Sequence, residues 1–326
     1  MSLNFLFCFD SDYNKQAEVS IFSLLEKCNE KIEINIIHKS EESSKFISDK
    51  ILNHKNLKEL RINKFYKPKN IKFENLLDAH VSEATYYRLF LHNYIDNSLD
   101  NLIYLDCDIV CVQNPLEILN KYVESLKNSE YIVGAVPEYK KSQKDHVEIY
   151  HKELKLNSND YFNAGVMIID YKKWVEKNTG EQLLRTLQNL KDRIKYWDQD
   201  VMNKLFDGEY LKLIDGLNKK FTNIEVNNQE ILDEIKNKNS NNYFIHFAGK
   251  FKPWQVSGTV ITGSELFQNN YEIINNANPY IQIKNRRNST KQLFSFLFLK
   301  RLLKNENRLN ILYKIISEII LKRNIS

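Results

Sequence analysis

The sequence predicts an α/β fold in which helices cover both faces of a mostly parallel sheet, and three observations support this. Short apolar runs without a helical period, such as residues 3–9 and 102–105, are typical of strands buried on both faces. Segments with helical spacing separate such runs, which is the rhythm of βαβ units. Both runs end at acidic residues, so we expect a ligand to bind beyond the carboxyl ends of these strands.

Local signals place the elements in order along the chain. A helix with Val19, Phe22 and Leu25 follows the first strand. Ser82 before Glu83 indicates a helix start, and Asn114 before Pro115 indicates an N-cap and a first helical residue. We also predict a long helix after Tyr171 and a shorter one near Asp198. Further helix and strand signals continue through residues 57–65, and the remaining strands are predicted around residues 32–36, 131–136, 161–170 and 243–247.

Length and composition favour one large domain with an appendage. The chain has 326 residues, of which 42% are hydrophobic, and we divide it into a catalytic domain over residues 1–280 and a helical segment over 281–326. The four cysteines lack CxxC spacing, which favours a reducing compartment. With no basic n-region in residues 1–10 and no apolar run of about 18 residues, we expect a cytoplasmic location.

The familiar phosphate-binding motifs are missing from the sequence. The chain has eight glycines and no GxGxxG, which disfavours a dinucleotide-binding enzyme. Gly258 and Gly263 have P-loop spacing, but Ser264 and Glu265 follow where Lys and Ser/Thr are needed. Any bound phosphate must therefore be neutralised in another way.

An acidic pair, Asp106 and Asp108, follows the apolar run at 102–105. In extended backbone, residues i and i+2 point to one side, so both carboxylates can reach one ion. Carboxylates suit Mg²⁺ or Mn²⁺, and an imidazole ligand favours Mn²⁺. His246, in an apolar strand, is the candidate third ligand. A core histidine with a satisfied hydrogen bond is the alternative interpretation.

Six segments together resemble glycosyltransferase family 8, and look closest to its bacterial lipooligosaccharide and lipopolysaccharide α-galactosyltransferases. They match the family in order and spacing from residue 3 to about 255. The segments are FCFDSDY at 7–13, YYRL at 86–89, YLDCD at 104–108, YFNAGV at 161–166, WDQD at 197–200 and HFAGKFKPW at 246–254.

This resemblance implies a GT-A type nucleotide-sugar-binding fold, a UDP-sugar donor, and a metal, Mn²⁺ or Mg²⁺, held by Asp106, Asp108 and His246. Such an ion would stabilise the charge of the diphosphate leaving group. Cys8, Asp10 and Asp12 would line the uridine and ribose site. The other residues expected to contact the donor are Arg88, Asp106, Asn163, Gly249 and Lys252.

Gln199 and Asp198 are the catalytic candidates. By resemblance, Gln199 lies near the anomeric carbon. Because an amide is a poor nucleophile, we favour front-face displacement with Gln199 stabilising an oxocarbenium-like state. Asp198 opens a helix, so a role as N-cap is the alternative. For Arg88 the alternative is an ion pair on a helix surface.

The expected function is retaining, metal-dependent transfer of galactose or glucose to a cell-surface glycan or glycolipid, such as lipooligosaccharide or lipopolysaccharide. Two departures leave donor and acceptor open: Asp12 stands where an Asn is expected, and Glu138 where an Asp reaches towards the acceptor. A non-catalytic UDP-sugar-binding module, and a UDP-glucose-dependent enzyme that glycosylates a protein or itself, are the alternatives.

The end of the chain is strongly basic. Residues 284–326 hold 11 Lys and Arg against Glu306 and Glu318, interleaved with Phe and Leu. A basic amphipathic segment of this kind is suited to an anionic membrane interface, which predicts peripheral attachment to the inner face of the cytoplasmic membrane. The alternative is a helical pair docked on the body. Since the excess positive charge is confined to this tail, nucleic-acid binding is not expected.

Overall fold

A computed structural model of the chain describes residues 3–42, 46–69, 71–73, 82–140, 152–220, 229–237, 240–249, 251–259, 261, 263–276, 279–283, 285–298 and 306–321. The strands are β1 Asn4–Cys8, β2 Ile32–His38, β3 Leu57–Lys64, β4 Asn101–Leu105, β5 Ile109–Cys111, β6 Val133–Lys140, β7 Asp160–Asp170, β8 Leu211–Lys212, β9 Lys219–Lys220 and β10 Phe244–His246.

The helices follow the predicted alternation with the strands. They are α1 Asn14–Lys27, α2 Asp49–Leu52, α3 Leu91–Tyr94, α4 Leu116–Lys127, α5 Tyr171–Glu176, α6 Thr179–Leu190, α7 Trp197–Phe206, α8 Gln229–Lys236, α9 Ser264–Asn275, α10 Arg286–Phe298 and α11 Glu306–Leu321. A 3₁₀ segment, Glu83–Phe90, precedes α3, and the side chain of Ser82 accepts a hydrogen bond from Ala84 N at its start.

The main sheet has the strand order β3-β2-β1-β4-β7-β6-β8 among the described residues. Its neighbours pair in parallel except at β7, which is antiparallel to both β4 and β6. A second, three-stranded sheet has the order β5-β10-β9. The prediction of a mostly parallel sheet is therefore confirmed.

Strand alternation divides the core between the two faces of the sheet. In β1, Phe5 and Phe7 join one buried cluster with residues of α1, α4 and α9. Leu6 and Cys8 join the other, with residues of the Glu83–Phe90 segment, α5, α6 and α7. Successive strand side chains point to opposite faces, so an unbroken apolar run is what a sheet covered on both sides requires. Helices on both faces are confirmed.

The helix predicted after Tyr171 is broken in two. Helix α5 ends at Glu176, and α6 starts after Asn178, whose φ of 52° lies in the left-handed region. Asparagine tolerates this conformation better than most residues, so the chain turns here without a glycine.

The described part of the C-terminal segment is a docked helical pair. Ile311, Ile315 and Ile319 of α11 lie one turn apart and pack in one buried cluster with Leu293 of α10 and Val256 of the body. Another side of α11 remains exposed, so membrane attachment of this segment stays a prediction. No helix among the described residues is long and apolar enough to span a bilayer.

Candidate active site

Three side chains with metal-binding groups meet beyond the end of β4. Asp106 and Asp108 lie in the turn between β4 and β5, and His246 ends β10. One ligand atom from each of these three residues lies within 4.8 Å of the others. The structure therefore brings together the three predicted metal ligands, although His246 comes 138 positions after Asp108 in the chain.

Backbone pairing fixes the position of His246. In the antiparallel β10–β5 ladder His246 lies opposite Ile109, and Phe247 N donates to Asp108 O at 3.0 Å. Gly165 of β7 makes room for the imidazole, because a Cβ there would lie 2.4 Å from His246 Cε1. The glycine of the 161–166 segment is thus required by close approach of the histidine ring.

The hydrogen bonds of His246 show that this group suits a cation. His246 Nδ1 lies 2.8 Å from Asn218 Oδ1, while Asn218 Nδ2 donates to Asn163 Oδ1 at 2.8 Å. The amide oxygen can only accept, so Nδ1 carries a proton and Nε2 is the ring nitrogen that faces Asp108 Oδ1, 3.2 Å away. Nε2 and Asp108 Oδ1 are therefore placed to share either a proton or a metal ion.

Lys252 lies beside this cluster. Its ammonium group is buried, pairs with Asp108 Oδ2 and donates to Phe247 O at 2.9 Å. Burial disfavours the Asp108 carboxylate, yet Lys252 and His246 together hold the pKa of Asp108 well below its usual value. Asp108 therefore remains ionised, as a metal ligand must be.

Arg88 is buried, so the interpretation as a surface ion pair is wrong. Its guanidinium pairs with Asp198, contacts Asp106 Oδ1 at 3.2 Å and donates to Ala164 O at 2.6 Å. It also lies over the Tyr104 ring, 4.4 Å from the centroid. Burial disfavours the guanidinium, but Asp198 leads the neighbours that hold the pKa of Arg88 well above its usual value.

Asp198 is not a helix cap. Helix α7 follows Tyr196, whose side chain makes no capping bond, while Asp198 accepts from Arg88 and from Thr85 Oγ1 at 2.6 Å. Asp200 instead stabilises the start of the helix, because it accepts hydrogen bonds from the backbone N–H groups of Lys195 and Tyr196 at 2.7 and 2.8 Å. Asp198 thus positions Arg88 instead of starting the helix.

Gln199 belongs to a polar network around Glu138. Gln199 Oε1 accepts from Ala164 N at 3.0 Å, and its Nε2 donates to Glu138 Oε2 at 3.1 Å. Asn163 Nδ2 donates to the same oxygen at 2.9 Å, and Lys220 Nζ to Glu138 Oε1 at 2.9 Å. The carboxylate of Glu138 is therefore held by three donors.

Two adjoining cavities surround the metal-ligand cluster and share Thr85, Asp106, Asp108 and Lys252. The larger is about 280 Å³ and is also lined by Arg88, Glu138, Asn163, Asp198, Gln199, His246 and Gly249. The smaller is about 80 Å³, and Cys8, Phe9, Tyr13 and Tyr104 contribute to it.

Asp10 and Asp12 are the predicted donor-binding residues that line neither described cavity. Asp10 is buried and caps the Ser11–Tyr13 turn, accepting from Asp12 N at 3.1 Å, whereas Asp12 is exposed.

Gly249, which lines the larger cavity, has a φ of 79° with open space where a Cβ would stand. A side chain at Gly249 would thus be strained by the backbone alone.

Four supporting residues were missed by sequence reasoning: Thr85, Tyr104, Asn218 and Lys220. Tyr104 had a signal, because it precedes Asp106 by two on a strand and its hydroxyl donates to Asp106 Oδ1 at 2.6 Å. Asn218 had none, since only the fold brings it to His246.

The family model described as Glycosyl transferase family 8 matches residues 4–258. The chain belongs to this family. The match contains every residue of the cluster and of both cavities. The family 8 assignment expected from the six segments is thereby confirmed.

Two relatives illustrate how far the family 8 likeness extends. A lipopolysaccharide 1,2-glucosyltransferase of Escherichia coli K12 is 33% identical over 183 residues, covering 53% of this chain and 49% of that protein. A lipopolysaccharide 1,3-galactosyltransferase of Salmonella typhimurium LT2 is 29% identical over 178 residues, covering 54% and 50%. The chain thus matches about half the length of these two relatives.

Solved structures agree on the fold of this family 8 chain. The galactosyltransferase LgtC, in complex with donor and acceptor sugar analogues, superposes with a TM-score of 0.62 at 21% identity, covering 83% of this chain and 96% of that one. The GT-A type architecture is confirmed by this likeness.

Proposed function

We propose that the chain is a retaining, metal-dependent hexosyltransferase that moves glucose or galactose from a UDP-sugar to a cell-surface glycan acceptor, such as lipooligosaccharide or lipopolysaccharide. The observation that supports this most directly is the cluster of Asp106, Asp108 and His246 between two cavities. Because the two relatives are a glucosyltransferase and a galactosyltransferase, glucose and galactose are the sugars to test first.

The proposed metal is Mn²⁺ or Mg²⁺, which would neutralise the charge of the diphosphate as the glycosidic bond breaks. Asp106, Asp108 and His246 would hold it, with Asn218 fixing the tautomer of the imidazole. Lys252 adds a positive charge at the edge shared by both cavities. These residues replace the glycine-rich loop that the sequence lacks.

Retaining transfer is part of the proposal, and the side chains of the larger cavity bear on how it would proceed. Asp198 is 1% exposed and bound to Arg88, so it is unsuited to attack the anomeric carbon. Gln199 is an amide whose oxygen already accepts from Ala164 N. We therefore propose front-face displacement, in which Gln199 stabilises an oxocarbenium-like state and the departing phosphate takes the acceptor proton.

Glu138 is proposed to orient the acceptor. It lines the larger cavity with both oxygens already fixed by Lys220, Asn163 and Gln199. A carboxylate held in this way can accept hydrogen bonds from sugar hydroxyls without reorganising.

Peripheral attachment to the cytoplasmic membrane face is also proposed. The apolar side chains of Tyr313 and Ile320 in α11 are 72% and 58% exposed, and that of Phe294 in α10 is 66% exposed. Arg286 and Arg287, at the start of α10, are also exposed. Flotation with anionic vesicles tests this. Tyr313→Ser/Ile320→Ser should release the protein, and equal flotation of wild type and variant would contradict the proposal.

The deciding experiment for the activity measures UDP release from UDP-glucose and UDP-galactose, with and without Mn²⁺ and without acceptor. Slow hydrolysis of one donor that depends on Mn²⁺ would support the enzyme and name its sugar. UDP binding without release from either donor, even after lipooligosaccharide is added, would instead favour a UDP-sugar-binding module.

A further inference from the structure

A separate polar pocket lies beside the candidate active site, between the turn after Trp254 and the start of α10. It measures about 150 Å³, and none of its lining residues lines either of the two cavities described above. Amide and hydroxyl side chains line it: Gln255, Ser257, Gln282, Asn288, Ser289 and Gln292. Val256, which is 2% exposed, also contributes to the lining.

The lining side chains are available to a ligand. Among the described residues, the amides of Gln255, Gln282, Asn288 and Gln292 have no hydrogen-bond partner. Asn285 differs, because its Oδ1 caps α10 by accepting from Asn288 N at 3.0 Å. Four unpaired amides from three chain segments therefore converge on one pocket, and each offers both donors and an acceptor.

The described lining of the pocket points to a neutral ligand. Within the part of the chain that the structure describes, no acidic or basic residue lines the pocket. A phosphate or a nucleotide would leave its charge uncompensated there. Sugar hydroxyls both donate and accept, as amides do. The volume is below the roughly 300 Å³ that drug-sized ligands need, which suits one sugar ring of a longer chain.

One tight turn of the chain connects the pocket to the candidate active site. Gln255 N donates to Lys252 O at 2.8 Å, and a Cβ on Gly258 would lie 1.8 Å from the same oxygen. Gln282 N donates to Trp254 O at 2.7 Å. Gln255, which would hold the ligand together with Gln282, is thus three residues along the chain from Lys252, and Lys252 pairs with Asp108.

We propose that this pocket is a saccharide subsite that binds a neutral sugar residue of the acceptor glycan, away from the residue that receives the hexose. Its assignment to the acceptor rests on the proposed function, whereas its binding of neutral saccharide does not. A distal subsite of this kind raises the affinity for long acceptors without taking part in the chemistry.

The test compares three full-length proteins on an array of neutral and of charged oligosaccharides. These are wild type, Asn288→Ala/Gln292→Ala in the pocket, and Gln188→Ala/Asn189→Ala, two exposed amides of α6 that serve as a matched control. Alanine favours helix, so both double variants should fold. We expect neutral glycans to bind wild type and control alike, and binding to the pocket variant to weaken about tenfold or more.

A second readout separates this proposal from the proposed function. Mn²⁺-dependent UDP release without acceptor should be equal in all three proteins, because none of the changed residues lines the candidate active site. Loss of glycan binding in the pocket variant supports the subsite even if no protein releases UDP. No binding of any neutral glycan to wild type, or equal binding by both double variants, would overturn it.

Discussion

Two Asp-x-Asp segments are used in opposite ways by this fold. Asp106 and Asp108 follow a strand, and both carboxylates join one cluster with His246. Asp198 and Asp200 lie in the first turn of α7, where two residues correspond to a rotation of about 200°. Asp198 consequently faces Arg88 and the cavity, whereas Asp200 faces Tyr161 and the backbone before the helix.

The role of an acidic pair therefore depends on the secondary-structure element that carries it. The turn between β4 and β5 brings two carboxylates together at the proposed metal site. A helix points its two carboxylates in different directions, so Asp198 positions the Arg88 guanidinium and Asp200 stabilises the start of the helix.

The largest effect is expected for Asp108→Asn. The change keeps the shape of the side chain but removes a charged ligand, so Mn²⁺-dependent UDP release should fall about 1,000-fold or more, since metal stabilisation of a leaving group is worth several kcal/mol. Initial rates with saturating donor and Mn²⁺ measure it. Asp215→Asn, at an exposed carboxylate paired with Lys219, is the matched control. Normal turnover of Asp108→Asn would refute the metal assignment.

Removing the partner of Asp198 should mainly affect stability. Arg88→Met leaves a buried carboxylate unpaired, so the free energy of unfolding should fall by about 3–5 kcal/mol. Urea denaturation measures it. The double variant Arg88→Met/Asp198→Asn removes both charges and should regain a large part of the loss. Equal destabilisation in the single and double variants would mean that Asp198 is not the group that Arg88 neutralises.

A third prediction compares the two Asp-x-Asp segments by the stabilisation that bound Mn²⁺ gives to the folded protein. Mn²⁺ at about 100 times its Kd should raise the free energy of unfolding of wild type by about 2.7 kcal/mol. The rise should disappear in Asp108→Asn and persist in Asp200→Asn, because Asp200 lies outside the cluster. Denaturation with Mn²⁺ and with a chelator gives both values. Loss of the rise in Asp200→Asn would contradict the separation of roles.

Much of the site could be predicted because its signals are local. Unbroken apolar strands locate the carboxyl edge of the sheet, and the spacing of Asp106 and Asp108 predicts that both carboxylates can reach one ion. The family pattern then supplies His246, Arg88 and Lys252. All of these side chains line the larger cavity.

What the sequence could not give depends on contacts between distant segments. Asn218 supports His246 from the position directly after a short 3₁₀ turn, Asp215–Leu217, that carries no motif. The role of Asp198 depends on Arg88, 110 residues away, so helix propensity alone favoured a cap. The break at Asn178 is likewise a tertiary effect, since the apolar spacing continues into α6.

The smallest effect concerns His38, a buried histidine of the core that contrasts with His246 at the site. Ser40 N donates to His38 Nδ1 at 2.9 Å, and the ring stacks on Phe46 at 4.0 Å between centroids. Burial lowers the pKa of His38, the backbone hydrogen bond with Ser40 and the charge of Asp10 oppose the shift, and Lys39 adds to it.

The folded state therefore resists protonation of His38 more than the unfolded chain does. Its contribution to stability is complete above the ordinary pKa of about 6.5 and is lost as the pH falls through that value towards the lower folded pKa. His38→Gln should flatten the decline of unfolding free energy between about pH 7.5 and 5.5. Urea denaturation across this range measures the slope. The comparison variant is His54→Gln, because His54 has the exposed Glu26 as its ion-pair partner. An unchanged slope in His38→Gln would show that burial of the ring does not make the folded state resist protonation of His38.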